Sequence, residues 1–171
     1  MEITPILTPR LKIRSQTKDD LAFALGIWGD PVMGQYLTDP CIYNMSGQYF
    51  EELKTIHEST DCCYLIAESR ENGLRIGTCS FILDEETHTC DLGYTIHQYF
   101  WRQGYGSEMV QAVIDFAKTL GATRFTAPVS KANPGSNALI RKLGFVPVGE
   151  QAYKKAGTDN LVEEYCYELT V

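Results

Sequence analysis

Several absences in the sequence narrow the class of protein. No stretch approaches the ~20 consecutive apolar residues of a membrane-spanning helix, and residues 1–14 lack the apolar core of a signal peptide. Lysine and arginine number 15 against 22 aspartates and glutamates, a formal charge of −7, whereas non-specific nucleic-acid binding depends on basic side chains meeting phosphates. We therefore expect a cytoplasmic protein that binds neither membranes nor nucleic acid. The acidic balance suits a cationic partner such as an amine, although solubility alone also explains it.

The cysteines and histidines lack the spacing of a metal site. None of the six cysteines forms a Cys-x-x-Cys pair, and the three histidines do not cluster with them at zinc-ligand spacing. Several cysteines lie in apolar, strand-like runs, as buried thiols do. The sequence therefore predicts no bound metal and reduced cysteines, as in a cytoplasmic protein.

Nothing in the sequence marks a boundary between domains. The chain contains no internal repeat, no low-complexity run and no linker rich in proline, glycine and serine. Its 171 residues, 44% of them hydrophobic, are enough to bury a core without help from metals or disulfides. We therefore predict one domain over residues 1–171.

Hydrophobic periodicity and turn signals predict strands and helices around one sheet, in the order β-α-α-β-β-β-α-β-α-β-β. The strands are expected at 11–15, 63–68, 75–83, 89–96, 124–129, 145–148 and 161–170, and the helices at about 17–30, 46–57, 107–120 and 133–143. Asn72-Gly73 is a strong hairpin signal. The strands within 63–96 should therefore form an antiparallel meander.

A segment with two glycines follows the strand at 89–96 and opens an amphipathic helix. It reads Trp101-Arg102-Gln103-Gly104-Tyr105-Gly106-Ser107. Glycines allow a tight turn and close approach to a ligand, and the first turn of a helix offers unpaired N–H groups that bind phosphate. Arg102 would add a charge-assisted contact. The segment is neither a Walker loop nor a Rossmann fingerprint, and two glycines alone also suit a simple chain turn.

A second segment, from Asn133 to Phe145, contains a short helix. Asn133, Ser136 and Ile140 are three and four residues apart, so they share one helix face. Taken alone, the pattern also fits an ordinary helix with Asn133 or Ser136 as its N-cap and Gly144 as its stop.

Together the two segments resemble the cofactor motifs of the GNAT superfamily of acetyltransferases. The first is similar to motif A, Q/R-x-x-G-x-G/A, in the form with Trp101 that is typical of the RimJ/RimL-type branch. The second resembles motif B of that branch, N-P-x-S followed by K-L-G-F. Asp91-Leu92-Gly93-Tyr94 resembles the strand before motif A, and Asp30-Pro31-Val32-Met33 resembles the element after the first helix. The resemblance spans about residues 7–148 in the family's order.

The resemblance implies an α/β (α+β) fold with a mixed, mostly antiparallel central sheet of about six or seven strands, flanked by about four helices. It also implies acetyl-CoA as co-substrate, lying between the strand before motif A and the strand after it. Backbone N–H groups of residues 103–107 would hold the pyrophosphate. The implied cofactor-binding residues are Tyr94, Ile96, Trp101, Arg102, Gln103, Gly104, Tyr105, Gly106, Ser107, Asn133, Ser136 and Lys142.

The implied reaction moves an acetyl group from acetyl-CoA directly to a primary amine. An amine with a pKa near ~10 must first lose a proton at neutral pH. Asp91 is the first candidate for the base, with His97 and Glu164 as alternatives. Many family members carry a tyrosine where this chain has Ile140, so Ser136 is the expected acid that meets the CoA thiolate. A backbone N–H such as that of Ile96 would stabilise the oxyanion.

The acceptor and the assembly stay open at the level of sequence. The acceptor is a protein N-terminal amine or a small-molecule amine, and no motif chooses between them. A non-catalytic acyl-CoA sensor with the same fold is the alternative, because Ile140 cannot donate a proton. Homodimers are common in the family, but nothing in this sequence identifies one.

Overall fold

One eight-stranded sheet organises the chain in the computed structural model, which describes residues 2–171. The strands are β1 (Ile6–Leu7), β2 (Leu11–Ser15), β3 (Cys63–Ser69), β4 (Arg75–Asp84), β5 (Thr89–Ile96), β6 (Arg124–Ser130), β7 (Val146–Lys154) and β8 (Leu161–Thr170). Their spatial order is β1-β2-β3-β4-β5-β6-β8-β7. Within the part of the chain that the structure describes, only β5 and β6 pair in parallel, and every other neighbouring pair is antiparallel. The predicted fold class is confirmed, with one strand more than expected.

Four helices flank the sheet: α1 (Leu21–Trp28), α2 (Gly47–Leu53), α3 (Tyr105–Thr119) and α4 (Pro134–Lys142). The prediction for α2 was too long at its C-terminal end, because the chain leaves the α-helix after Leu53 and forms a short 3₁₀ helix at Ile56–Glu58. The prediction for β7 was six residues too short. This strand lies at the sheet edge and is almost entirely exposed, so its sequence carries no apolar alternation to mark it.

The two faces of the sheet carry different helices. On one face, α3 and α4 cover the larger core, where α3 buries Met109, Val110, Val113, Ile114 and Ala117. Leu120, which the helical period also places on this apolar stripe, follows the end of α3 and is 42% exposed. On the other face, α1 and α2 form a smaller core around Trp28, whose indole N–H donates to Thr78 Oγ1 on β4 at 3.0 Å. Because strand side chains alternate, Tyr94 faces α3 and α4, whereas Asp91 faces the α1 side.

A buried network of charges joins the start of α1 to the sheet. Asp20 is fully buried and accepts hydrogen bonds from Arg14 at 2.7 and 2.9 Å and from Arg75 at 2.7 Å. Burial alone would raise the pKa of the Asp20 carboxyl, but the hydrogen bonds from Arg14 and Thr17 outweigh it and hold that pKa well below its usual range. The network therefore stabilises the fold only while Asp20 is ionised.

Across residues 2–171, no helix combines the length and apolar character that a membrane crossing requires. In the same part of the chain, no group of three or more His, Cys, Asp and Glu side chains is arranged to hold a metal ion. The six cysteines form no disulfide.

Candidate active site

The strands β5 and β6 run side by side for three residue pairs and then separate. Residues 89–91 lie opposite residues 124–126. Beyond these pairs, β5 continues beside β4 alone, and β6 continues beside β8 alone. A gap therefore opens in the middle of the sheet, between residues 92–96 and residues 127–130.

A proline on β6 explains where the pairing ends. Alternate residues of β6 direct their backbone groups toward β5, as shown by the bond from the Arg124 N–H to the His88 carbonyl at 3.2 Å. By this alternation, residue 128 would be the donor to the carbonyl of Leu92 on β5. Residue 128 is Pro128, which has no N–H to donate. The ladder between the two strands stops at this position.

The same alternation leaves backbone groups of β5 pointing into the gap. The His97 N–H donates to the Ile76 carbonyl on β4 at 2.9 Å, so the backbone groups of residues 92, 94 and 96 point the other way, toward β6. The Trp101 indole N–H donates to the Ile96 carbonyl at 2.6 Å. An extended ligand with amide groups fits this edge, because it can take the hydrogen bonds of the missing strand.

The helix α3 begins next to the gap without a side-chain cap. Gly104 precedes it in a left-handed conformation, φ +82°, and the first helical bond runs from the Glu108 N–H to the Gly104 carbonyl at 3.1 Å. Among residues 2–171, no side chain caps the N–H groups of residues 105–107, whereas Ser46 and Asn133 cap α2 and α4. Free N–H groups at the positive end of a 15-residue helix form a site for an anion such as a phosphate.

Arg10, in the turn between β1 and β2, holds this anion site in place. Its Nε lies 2.6 Å from Glu108 Oε2, its guanidinium donates to the Gln103 carbonyl at 2.9 Å, and its Cζ lies 4.2 Å from the centre of the Tyr105 ring. Burial would raise the pKa of Glu108, but hydrogen bonds from Thr8 and Arg10 outweigh it and lower that pKa. Sequence analysis missed Arg10, because 98 residues separate it from Glu108.

The other predicted residues of the first motif have distinct positions. Gly106 is buried, and a Cβ there would lie 2.8 Å from Leu139 Cδ1, so this glycine allows α4 to pack against α3. Arg102 is exposed and has a positive φ of 61°. Trp101 is 44% exposed, and its indole bond to Ile96 fixes the loop against the end of β5.

The start of α4 lies across the gap from β5. The Asn133 side-chain oxygen accepts from the Ser136 N–H at 3.1 Å, as expected of an N-cap. Within residues 2–171 the Asn133 amide nitrogen has no hydrogen-bond partner, so it can donate to a ligand. The Ser136 hydroxyl lies 2.6 Å from the Tyr94 hydroxyl. Lys142 is exposed at the opposite end of α4, away from these groups.

Two carboxylates lie on the α1 side of the gap. Asp91 is the last residue of β5 that pairs with β6, and its carboxylate accepts from Thr126 Oγ1 at 2.6 Å. Glu164 on β8 is 7% exposed and accepts from the Gln151 amide at 2.8 Å. Within the described chain, no lysine, arginine or histidine nitrogen lies within 4 Å of either carboxylate.

Both carboxyl groups are more basic than usual. Partial desolvation by the surrounding protein raises the pKa of Asp91, and the hydrogen bond from Thr126 opposes this shift. One side of the Asp91 side chain remains open to solvent. Burial raises the pKa of Glu164, Gln151 opposes this shift, and the charge of Asp91 adds to it. A carboxylate with a raised pKa and no cationic partner can accept a proton from a bound ligand.

The third candidate base, His97, packs among aromatic rings. Its ring lies 6.3 Å from Phe23, 5.0 Å from Tyr99 and 6.2 Å from Phe100, centre to centre. Its Nδ1 also accepts from the Tyr99 N–H at 3.4 Å. These contacts favour a packing role for His97 at the junction of β5 and α1.

The hairpin of β7 and β8 meets the loop after α1 on the same side as the carboxylates. Lys155 donates to the Gly34 carbonyl at 2.9 Å and to the Leu37 carbonyl at 2.6 Å. The Tyr153 hydroxyl donates to the Tyr36 carbonyl at 3.1 Å. These bonds fix the loop beside the site, and sequence analysis did not foresee them because about 120 residues separate the partners.

The chain matches known proteins in both sequence and structure. Residues 10–146 match the family described as acetyltransferase (GNAT) domain. A relative named uncharacterized N-acetyltransferase p20, from Bacillus licheniformis, is 28% identical over an alignment of 172 residues, gaps included. The alignment covers 96% of this chain and 94% of the relative.

Two solved structures have the same fold at low sequence identity. One is the spermidine N-acetyltransferase of Vibrio cholerae in complex with CoA and spermine, with a TM-score of 0.81, 18% identity, and 95% of this chain and 96% of the other covered. The other is an acetyltransferase from Salmonella typhimurium that modifies the N-terminal serine of the ribosomal protein L7/L12, with a TM-score of 0.77, 18% identity and coverage of 98% and 99%. The family match spans most of the chain and includes the gap, the uncapped helix and the start of α4. This protein belongs to the GNAT family of acetyltransferases.

Proposed function

We propose that this protein moves an acetyl group from acetyl-CoA directly to a primary amine, with acetyl-CoA lying in the gap between β5 and β6. The gap itself carries the proposal. Pro128 ends the pairing of two central strands, and the edge of β5 that this exposes can bind an amide-bearing chain. The uncapped start of α3 lies beside it and can bind an anion. Acetyl-CoA combines a pantetheine arm with two amides and a pyrophosphate, so it matches both features.

Each part of acetyl-CoA has a proposed set of partners. The N–H groups of residues 105–107 bind the pyrophosphate, and Arg10 keeps their loop in place. The backbone of residues 92–96 and the amide of Asn133 bind the pantetheine arm. The N–H of Ile96 donates to the thioester oxygen as negative charge develops there.

In the proposed mechanism, the two faces of the sheet have different tasks. The amine approaches from the α1 side, where Asp91 takes its proton, directly or through water, with Glu164 as the alternative base. The free amine attacks the thioester carbon, an N–C bond forms, and the C–S bond then breaks with its electron pair on sulfur. Ser136, on the α4 side, lies next to the departing thiolate.

The acceptor class and branch are also proposals. Trp101 and the N-P-x-S pattern at Asn133 favour the RimJ/RimL-type branch. The structural relatives named above act on spermidine and on a protein N-terminal serine, so both a polyamine and a protein N-terminus are reasonable acceptors for this chain. We infer a single domain that works in the cytoplasm, without nucleic-acid or membrane partners.

Release of thiol from acetyl-CoA tests the proposal and the choice of base. Wild-type protein should release thiol with at least one amine from a panel of peptides, polyamines, amino sugars and amino acids. Asp91→Asn should lower kcat about 10²- to 10⁴-fold, the usual contribution of a general base. In the wild type, the rate should increase with pH in the acidic range as the base loses its proton, and Asp91→Asn should remove this increase. If Glu164→Gln produces these effects instead, Glu164 is the base.

Glu163→Gln is the matched control for these variants. Glu163 neighbours Glu164 in β8 but its carboxylate lies 4.0 Å from Lys131, on the other face of the strand. Its removal should leave kcat unchanged. Binding of acetyl-CoA with no thiol release from any amine would contradict the proposed transfer and would favour an acyl-CoA sensor.

A further inference from the structure

The hydrogen bond between Tyr94 and Ser136 joins the two sides of the gap on the face that α3 and α4 cover. Tyr94 belongs to β5, Ser136 lies in the first turn of α4, and 42 residues separate them in sequence. Their hydroxyl oxygens are 2.6 Å apart. A contact of this length between neutral hydroxyl groups is a well-formed hydrogen bond.

The chemistry of the two hydroxyls decides which one donates. A phenol is far more acidic than an aliphatic alcohol, so the tyrosine is the better donor and the serine the better acceptor. Burial raises the pKa of Tyr94 to about 12, although the bond to Ser136 opposes this shift. The phenol therefore keeps its proton at neutral pH and can donate it in the hydrogen bond.

With Tyr94 as donor, the Ser136 hydroxyl accepts one hydrogen bond and can still donate its own hydrogen to a third group. Its oxygen has no further hydrogen-bond partner within residues 2–171, and its backbone N–H is already bound to Asn133. No other hydroxyl is available on this face of α4, because the residue one turn later is Ile140, which is fully buried in the core. The hydrogen of Ser136 is thus available to a group that occupies the gap.

We propose that Tyr94 positions Ser136 so that the serine hydroxyl donates a hydrogen bond to the CoA sulfur as the C–S bond breaks. This inference rests on the proposed acetyl transfer. Tyr94 is a positioning residue, since it acts through Ser136, and the two hydroxyls form a chain from β5 to the sulfur. Each donor polarises the next one, which strengthens the bond to a developing negative charge.

The magnitudes of the pKa values favour a hydrogen bond over a full proton transfer. The thiol has a pKa near ~8.5, while the pKa of Tyr94 is about 12. A proton that moved from Tyr94 through Ser136 to the sulfur would therefore travel uphill by a few pKa units. In the proposed step the electron pair of the C–S bond stays on sulfur, both hydroxyls keep their protons, and water later protonates the thiolate.

The inference gives a test that does not require turnover. If the chain of hydroxyls stabilises the thiolate, the wild-type protein should bind CoA more tightly as the pH rises from about 7.5 to 9.5, through the thiol pKa of ~8.5. Tyr94→Phe and Ser136→Ala should bind CoA with little dependence on pH. Titration calorimetry with CoA, and with desulfo-CoA as the analogue without sulfur, measures this directly.

Kinetics supply the second readout. Tyr94→Phe should lower kcat roughly tenfold, because a Ser136 hydroxyl that is no longer held in place makes a weaker hydrogen bond to the charged sulfur, while KM for acetyl-CoA changes less than about twofold. Because both residues act in one chain, the double variant should be no slower than Ser136→Ala alone. Tyr165→Phe is the matched control. Its ring lies on the same face of the sheet and contacts Tyr167 and Lys131, and its loss of a hydroxyl should change neither readout.

The outcomes separate this inference from the proposed function. Wild-type turnover with an unaffected Tyr94→Phe variant, or additive losses in the double variant, would overturn the role of Tyr94 and leave acetyl transfer intact. A pH-dependent affinity for CoA that both variants lose, in a protein that acetylates no amine, would support the hydroxyl chain and refute the transfer. Absence of CoA binding would overturn both.

Discussion

Replacement of Gly104 by alanine perturbs the anion site at the start of α3 with a single methyl group. Gly104 has φ +82° and ψ −1°, a left-handed conformation that costs an alanine about 1–2 kcal/mol. An added Cβ would also lie 3.3 Å from the Arg10 guanidinium, which already contacts the loop. The backbone at residue 104 should therefore shift to relieve the strain.

A shift of Gly104 turns the N–H groups of residues 105–107 away from their common target. Each hydrogen bond from an N–H to a charged phosphate contributes about 1.5–3 kcal/mol, and 1.4 kcal/mol corresponds to tenfold in affinity. Loss of one such bond should raise the Kd for acetyl-CoA at least about tenfold. The strain itself should lower the melting temperature by about 2–8 °C in a protein of this size.

Gly73→Ala provides the control for strain without a ligand site. Gly73 has φ +71° in the turn between β3 and β4, and an added Cβ meets no atom within 4 Å. This variant should lose similar thermal stability and bind acetyl-CoA like the wild type. Melting curves and calorimetric titration with acetyl-CoA measure the two effects separately. Equal affinity in all three proteins would refute our placement of the pyrophosphate.

Three further predictions follow from other parts of the structure. Pro128→Ala supplies an N–H that can bond to the Leu92 carbonyl and extend the ladder of β5 and β6, so the gap should narrow and the Kd for acetyl-CoA should rise several-fold. Arg10→Ala leaves the negative Glu108 carboxylate unpaired near the proposed phosphate site, so the Kd for acetyl-CoA should rise. The further change Glu108→Gln removes that negative charge and should restore part of the affinity. Asp20→Asn should lower the free energy of unfolding by about 3 kcal/mol in urea, because two partly exposed arginines, Arg14 and Arg75, lose the buried carboxylate that they share.

The same network predicts how stability depends on pH. The pKa of Asp20 is depressed in the folded protein, so its contribution is fully present above the unfolded value of ~3.9 and is lost as the pH falls below it. Asp20→Asn should flatten this acid dependence in urea titrations between about pH 2 and pH 5. An unchanged acid dependence would show that other carboxyl groups cause it. For the gap, hydrogen exchange that stays fast at the N–H of residue 128 in Pro128→Ala would argue against our account of why the strands separate.

Local sequence patterns predicted much of the fold and the binding motifs. The stripe of α3 from Met109 to Ala117 repeats with helical period, and Asn133 caps α4 as its position suggested. These features depend on residues a few positions apart. The edge strand β7 was underestimated because its exposed residues follow no apolar alternation.

The contacts that complete the site come from distant parts of the chain. Arg10 meets Glu108, and Tyr94 meets Ser136, across 98 and 42 residues, and no local period encodes such pairs. The sequence motif predicted Tyr94 as a cofactor-binding residue but gave no sign of its hydroxyl contact with Ser136. Pro128 was visible in the sequence, but its effect depends on the parallel register of β5 and β6, which only the folded sheet reveals.

The central claim is that this protein acetylates an amine with acetyl-CoA bound between β5 and β6. The most direct test mixes purified protein with acetyl-CoA and the amine panel, follows thiol release, and identifies the acetylated product by mass spectrometry. Our account predicts saturable thiol release with an N-acetylated product for at least one amine, and slower turnover at low acetyl-CoA for Gly104→Ala but not for Gly73→Ala. Thiol release that is equal in wild type and Gly104→Ala, or no binding of acetyl-CoA at all, would contradict it.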